Sequence, residues 1–398
     1  MRIWILFIFV FFQCYCLEFR PLNVTLCKAL SYLSFVLVLL YALFSIKKVY
    51  LKKNDSKTIK IFHIILAGIF LSILPAVIIE GQSLTTSFMT TIGFIFSMMT
   101  YGLVRRLNVG TTGVEKIIVI YGFVYVLIVL INLATFPNIL FGSGELDMDR
   151  GGIRMRSNMI MFGVLSFFYF LNKYIVYKKK KTLVFAGIMF FAVSASLFRV
   201  YIVLMLGLGT LMVLSYVSIR KKIAVTLLMS IVFLIIIPQT TIYKNLAAVS
   251  EAQKEMSDNN KEDVRIQGYR YFVYESQTGL ESVLFGHGIA SIGNSEYGRR
   301  EENRQENTGI YQADVGWAGC FYDFGLITVL SFAYLLIYGI LKKKLDSTRY
   351  LTYFYSFFFL GAIANGHFQY TMVLILLPLS FYILNFKPLE TNNLRLKK

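Results

Sequence analysis

Apolar runs near transmembrane length recur along this chain, and the polar stretches between them alternate between lysine-rich and lysine-poor. About 20 residues at a 1.5 Å rise cross a hydrocarbon core of about 30 Å, so these runs read as membrane-spanning helices. Backbone groups in lipid must bond within their own segment, which makes the chain a helix bundle. A soluble chain of 398 residues would not be 57% hydrophobic with only 16% charged residues.

The net charge of +18 does not call for nucleic acid, because the charge is sorted by side. Basic clusters fall at Lys47 to Lys60, Arg105 and Arg106, Lys178 to Lys181, Arg220 to Lys222, Lys342 to Lys344, and Lys387 to Lys398. Placing every cluster inside leaves each alternate loop outside, as the positive-inside rule requires. The inside then carries about +22 and the outside about −4, and the basic face favours anionic lipid headgroups. The external basic residues are mostly arginines: Arg20, Arg150, Arg154, Arg156, Arg199, Arg265, Arg270, Arg299, Arg300 and Arg304. Arginine forks bind phosphate and carboxylate in a bidentate way.

The expected fold is an all-α integral membrane protein of about twelve transmembrane helices, with both termini inside. The helices are placed near 3–17, 26–46, 61–79, 84–104, 116–136, 158–177, 182–197, 200–218, 223–238, 317–341, 349–365 and 369–386. One large external loop separates helices nine and ten. This divides the chain into 1–238, a loop at 239–316, and 317–398. Met1 to Leu17 resembles a signal peptide but lacks a small-residue cleavage site, so it is read as a retained first helix. Thr182 to Ser218 as one helix would span about 55 Å. It is therefore split at Ser194-Ala-Ser-Leu-Phe-Arg199 into an external hairpin, with Arg199 at its tip.

Function is sought in the external loops. Arg150, Arg154 and Arg156 precede a helix whose N-terminal amides also favour an anion. Glu145, Asp147 and Asp149 are weak as a metal site. In the large loop, helices are expected over Thr241 to Met256 and Val264 to Gln277. The second lines up Arg265, Tyr269, Phe272 and Ser276, with Arg270 about 140° away. Ser295 to Asn307 is read as a mobile, solvated excursion. The loop aromatics can stack on sugar faces. Of the three histidines, His287 is external in a glycine turn, His367 lies in the last external loop, and His63 is structural. None has metal-ligand spacing, and Cys14, Cys16, Cys27 and Cys320 sit in or beside apolar runs.

Three segments resemble the O-antigen and capsule repeat-unit polymerases of the Wzy type and their ligase relatives. The first is the Ser-Ala-Ser-Leu-Phe-Arg199 hairpin. The second is Arg265-Ile-Gln-Gly-Tyr269 followed by Leu284-Phe-Gly-His-Gly288. The third is the Asp314-Val-Gly-Trp to Gly325 re-entry. Asp314 stands where the ligases carry histidine, and Arg154 to Gly163 and Arg270 to Gly279 are Arg-x8-Gly where polymerases carry Arg-x10-Gly.

The resemblance implies a metal-independent glycosyltransferase that polymerises repeat units carried on polyprenyl diphosphate into O-antigen or capsular polysaccharide. It implies no cofactor. It also implies Asp314 and His287 as catalytic residues, with Arg199, Arg265, Arg270, Arg154, Arg156 and Tyr269 binding diphosphate and sugar. The location would be a bacterial plasma (inner) membrane. The partners would be the lipid-linked oligosaccharide, membrane lipids, a chain-length regulator and a flippase. The alternatives are an O-antigen ligase, a GT-C-type transferase using a lipid-monophosphate sugar with acids in its first external loop, and a lipid-linked oligosaccharide flippase or transporter.

Overall fold

A computed structural model describes residues 1–44, 56–147, 152–157, 159–216 and 263–386. The protein is a multi-span, all-α membrane protein, and among the described residues the one exception is a two-stranded hairpin. Among the described residues six helices are long and apolar enough to cross a membrane. They are Val24–Leu43, Ser56–Ile78, Leu84–Leu107, Thr111–Thr135, Ile160–Tyr177 and Gly316–Leu341.

The expected twelve-helix topology, with its loop between helices nine and ten, is thereby overturned. Apolar runs overcount spans because hydropathy does not show where a helix ends. The first helix, α1 (Arg2–Gln13), has 12 residues and reaches only about 18 Å. Left-handed backbone at Tyr15, Cys16, Leu17 and Glu18 ends that run. Helices α8 (Lys180–Ala195) and α9 (Arg199–Leu214) have 16 residues each, or about 24 Å. They are joined by a reversal in which Leu197 has φ 58°. The Tyr350–Gly361 helix has 12 residues, and the last apolar run is divided at Ile375. The runs near 223–238 and Thr241 to Met256 lie outside the described residues.

Contacts sort the loops to two ends of the bundle. At one end Arg105 and Arg106 close α5 (Leu84–Leu107), whose C-cap Asn108 is left-handed. Lys178 plays the same capping part for α7 (Ile160–Tyr177). Asn172 Nδ2 donates to the Asp346 and Ser347 carbonyls there, at 2.8 and 3.1 Å. Cationic residues near helix C-termini match the negative end of the macrodipole. At the other end Phe19 bridges to Phe141. Beside that bridge the hairpin β1 (Ser143–Asp147) and β2 (Gly152–Arg156) pairs Glu145 with Arg154. Between the ends, small residues let helices approach closely. A Cβ on Gly122 would fall 2.2 Å from Ser166 Oγ, and one on Gly68 would fall 2.1 Å from Thr328 Oγ1.

Residues 263–315 fold as a cap over the loop end. The Asp263 side chain caps α10 (Val264–Arg270), and a π turn follows over Tyr271–Glu275. Phe272, Tyr297, Ile310, Val315, Ala318 and Tyr322 form a small core of their own. After α11 (Leu280–Phe285), Ser295 to Asn307 is not a solvated excursion. It enters α12 (Glu296–Thr308), capped by Ser295 and anchored by buried Tyr297 and Glu301. A run of charges hid a helix whose inner face is paired.

The cap grips the membrane part through a break in α13 (Gly316–Leu341). Gly325 there has φ 74° and ψ 177°. The Leu284 to Gly288 turn enters the break. His287 N donates to Tyr322 O at 2.7 Å, and Gly288 N donates to Asp323 O at 3.0 Å. Carbonyls released by a broken helix must find partners away from water, and this turn supplies them. A Cβ on Gly325 would sit 2.3 Å from Leu284 O.

Candidate functional site

The loop end encloses a cavity of about 850 Å³, within the usual range for ligand sites, roughly 300–1,000 Å³. Its wall draws on residues 15–27, on Gly142, Ser143, Ser157 and Ile160, and on 198–201, 311–314 and 365–373. Glu18, Arg20 and Asp314 supply charge, and Tyr15, Tyr201, Tyr311, Tyr370 and Asn365 supply polar edges. Ile160, Met372 and Val373 are buried apolar members of the wall.

The charged groups have fixed settings. Ser157 Oγ donates to Glu18 Oε2 at 2.8 Å. Arg20 Nε donates to Gly142 O at 2.7 Å, and the side chain remains exposed. Asp314 ends a 3-10 turn begun by Gln312, and Gln312 Nε2 donates to Asp323 Oδ1 at 3.1 Å beside the α13 break. The re-entry helix and Asp314 are thus coupled through one side chain. Tyr15 Oη and Thr371 Oγ1 lie 3.1 Å apart. Burial raises the Tyr15 phenol above its ordinary value, so it stays a neutral hydrogen-bonding group.

His367 supports the wall from behind. It is fully buried, with Nδ1 3.2 Å from Phe358 O and Nε2 3.0 Å from Tyr201 Oη. The carbonyl can only accept, so Nδ1 carries the proton and the Tyr201 hydroxyl donates to Nε2. Burial pushes the His367 imidazole down to about 4, which keeps this tautomer neutral.

A second polar cluster lies under α12, apart from the cavity wall. His287 Nδ1 is 2.6 Å from Glu80 Oε1, and Glu80 Oε2 is 2.6 Å from Arg300 Nη2. The His287 ring stacks on Tyr322 at 4.5 Å. Tyr322 Oη donates to Glu301 Oε1 at 3.0 Å, and Glu301 pairs with Arg304 at 2.6 Å. Arg304 lies over the Tyr271 and Phe272 rings at 4.7 and 4.8 Å. This cluster ties the cap to the 80–82 loop, where Gln82 Oε1 also accepts from Ser291 N and Ser295 Oγ.

Of the residues singled out from sequence, Asp314 lines the cavity. Arg199 opens α9, half-buried, between Phe198 and the wall residue Tyr201. Arg265 and Arg270 are exposed on α10, away from the wall. Tyr269 donates its hydroxyl to Ile363 O at 2.9 Å. Arg154 and Arg156 occupy β2, opposite Glu145 and Ser143. His287 belongs to the Glu80 cluster and not to the cavity wall. Asp147 pairs with Gly152 on the hairpin, and Asp149 lies outside the described residues. Among the described residues no three His, Cys, Asp or Glu side chains group as metal ligands.

Sequence reasoning passed over Glu18, Arg20, Tyr15, Asn365 and Tyr370 as a set. They come from the first and last loops at this end, and single-loop motifs do not reveal them. Alternation of loop charge was the available signal, since it assigns both loops to the same side.

No protein-family model and no curated protein matches this chain. With six long membrane helices among the described residues, in place of about twelve, the expected kinship with the O-antigen polymerases and ligases is not upheld. The motifs that suggested it are short. Gly-His-Gly and Gly325 have a structural use here, in plugging a broken helix.

Proposed function

We propose that the protein is a membrane glycosyltransferase that polymerises lipid-linked oligosaccharide repeat units at the outer face of a bacterial plasma membrane. The cavity carries this reading, because charge, tyrosine edges and apolar surface meet there at one end of a membrane bundle. An amphipathic substrate needs that combination. Tyrosine faces and hydroxyls suit sugars, arginine suits diphosphate, and apolar wall suits the first units of a polyprenyl chain.

In the proposed reaction an acceptor sugar hydroxyl attacks the anomeric carbon of the donor. The bond from that carbon to the diphosphate oxygen breaks, and the lipid diphosphate leaves with the electron pair. Asp314 takes the hydroxyl proton as general base. Arg20 faces the charge that develops on the departing diphosphate, and Glu18, steadied by Ser157, accepts from sugar hydroxyls.

The presence of Glu18 in the same wall favours one second reading, a transferase of lipid-monophosphate sugars with its base in the first loop. The glycan profile of a deletion strain separates the two. A repeat-unit polymerase leaves single repeat units without long polymer. A monosaccharide transferase leaves repeat units lacking one sugar, and intact long polymer in the deletion strain removes both.

A further inference from the structure

A second, smaller cavity of about 330 Å³ lies at the opposite, basic end of the bundle, between α7 and α8. Its lining is Tyr169, Phe170, Lys173, Tyr177, Lys179 and Thr182. The Lys173 ammonium lies 5.2 Å from the Tyr169 ring centre and 5.1 Å from that of Tyr177. Two aromatic faces therefore hold it, and the half-buried Glu115 carboxylate, which accepts from Tyr350 Oη at 2.9 Å, acts on it electrostatically without a direct ion pair among the described residues. Lys179 follows the left-handed cap Lys178, and Thr182 Oγ1 donates to Lys179 O at 2.7 Å, which fixes the turn at the rim.

We infer that this cavity binds the headgroup of an anionic phospholipid. Lys173 and Lys179 supply two cationic donors, and Tyr169 and Tyr177 bring phenol groups to the same rim. Lys178, Lys180 and Lys181 adjoin it, and with Lys173 and Lys179 they outnumber the one nearby carboxyl, Glu115, so a net negative headgroup is favoured over a zwitterionic one. The acyl chains also have a place. Leu183, Val184, Ile188 and Phe191 are exposed apolar residues of α8 running from the cavity toward the bundle middle. A free phosphate uses the lysines alone, whereas a phospholipid uses both surfaces. The site is independent of the cavity at the other end.

Native mass spectrometry of the full chain in detergent, titrated with phosphatidylglycerol or phosphatidylcholine, tests the assignment. Thermal melting in the same two lipids, and in inorganic phosphate at matched concentration, supplies a second readout. The wild type is expected to retain phosphatidylglycerol several-fold over phosphatidylcholine and to melt several degrees higher with it, with no shift from phosphate. Lys179→Gln is an exposed, fold-neutral change and is expected to weaken that preference. Lys173→Gln with Lys179→Gln is expected to abolish it, while Lys173→Arg keeps most of it. Equal retention of the two lipids, an unchanged preference in the double variant, or full protection by inorganic phosphate would overturn the proposal.

Discussion

Asp314 and Arg20 make opposite demands on a test. A carboxylate acting as base is lost on amidation with little change in shape, so Asp314→Asn should slow polymer formation by about 10²–10⁴ while the protein still inserts. Glu18→Gln should be milder under the polymerase reading, since Glu18 binds rather than takes the proton. The glycan profile of complemented deletion strains checks both, and the reverse order would favour the first-loop base. Arg20→Lys keeps charge but loses the fork, so it should retain part of the activity that Arg20→Ala loses. The sequence showed Asp314 as a residue where a polar loop meets an apolar run, and in the structure it lines the cavity. It could not show that Arg265 points to solvent while Arg20, nearly 300 positions away from Asp314, shares its cavity. Single-loop spacing holds no information on which loops meet.

At the scale of elements, the α13 break and the His367 support each have a measurable consequence. Gly325→Ala puts a Cβ into Leu284 O and a side chain at φ 74°. It should lower the melting temperature in detergent and open the cap to proteolysis near 263–315, whereas Gly102→Ala, with open space around it, should do neither. His367 binds a proton more weakly folded than unfolded, because burial pushes it to about 4 against an ordinary 6.5. Stability is therefore expected to fall as pH drops from 6.5 toward 4, and to be level above 6.5. Melting curves across that range should show the slope in the wild type and lose it in His367→Asn. Helix positions were largely legible from apolar runs, but helix ends were not. The stops at Tyr15 to Glu18, at Leu197 and at Gly325 are backbone conformations that hydropathy does not encode. The α12 helix was missed for the opposite reason, since its buried face is Tyr297 and the Glu301–Arg304 pair rather than aliphatic side chains.

For the whole molecule, the sorting of charge between loops predicts an orientation, and the structure shows the loops meeting in two groups at opposite ends. If the basic end is cytoplasmic, a cysteine at exposed Asn303 should react with an impermeant reagent added outside, and one at exposed Lys180 should not. Photocrosslinking decides whether the 850 Å³ cavity receives a lipid-linked saccharide. A benzophenone amino acid is placed at Tyr311 or Tyr370, which are 45% and 39% exposed in the wall, or at Tyr274, which is 75% exposed outside it. Membranes carrying a radiolabelled polyprenyl-diphosphate oligosaccharide are then irradiated. Adducts at 311 and 370 with none at 274 are the expected result. No adduct at either wall position, or equal labelling at 274, would contradict the account.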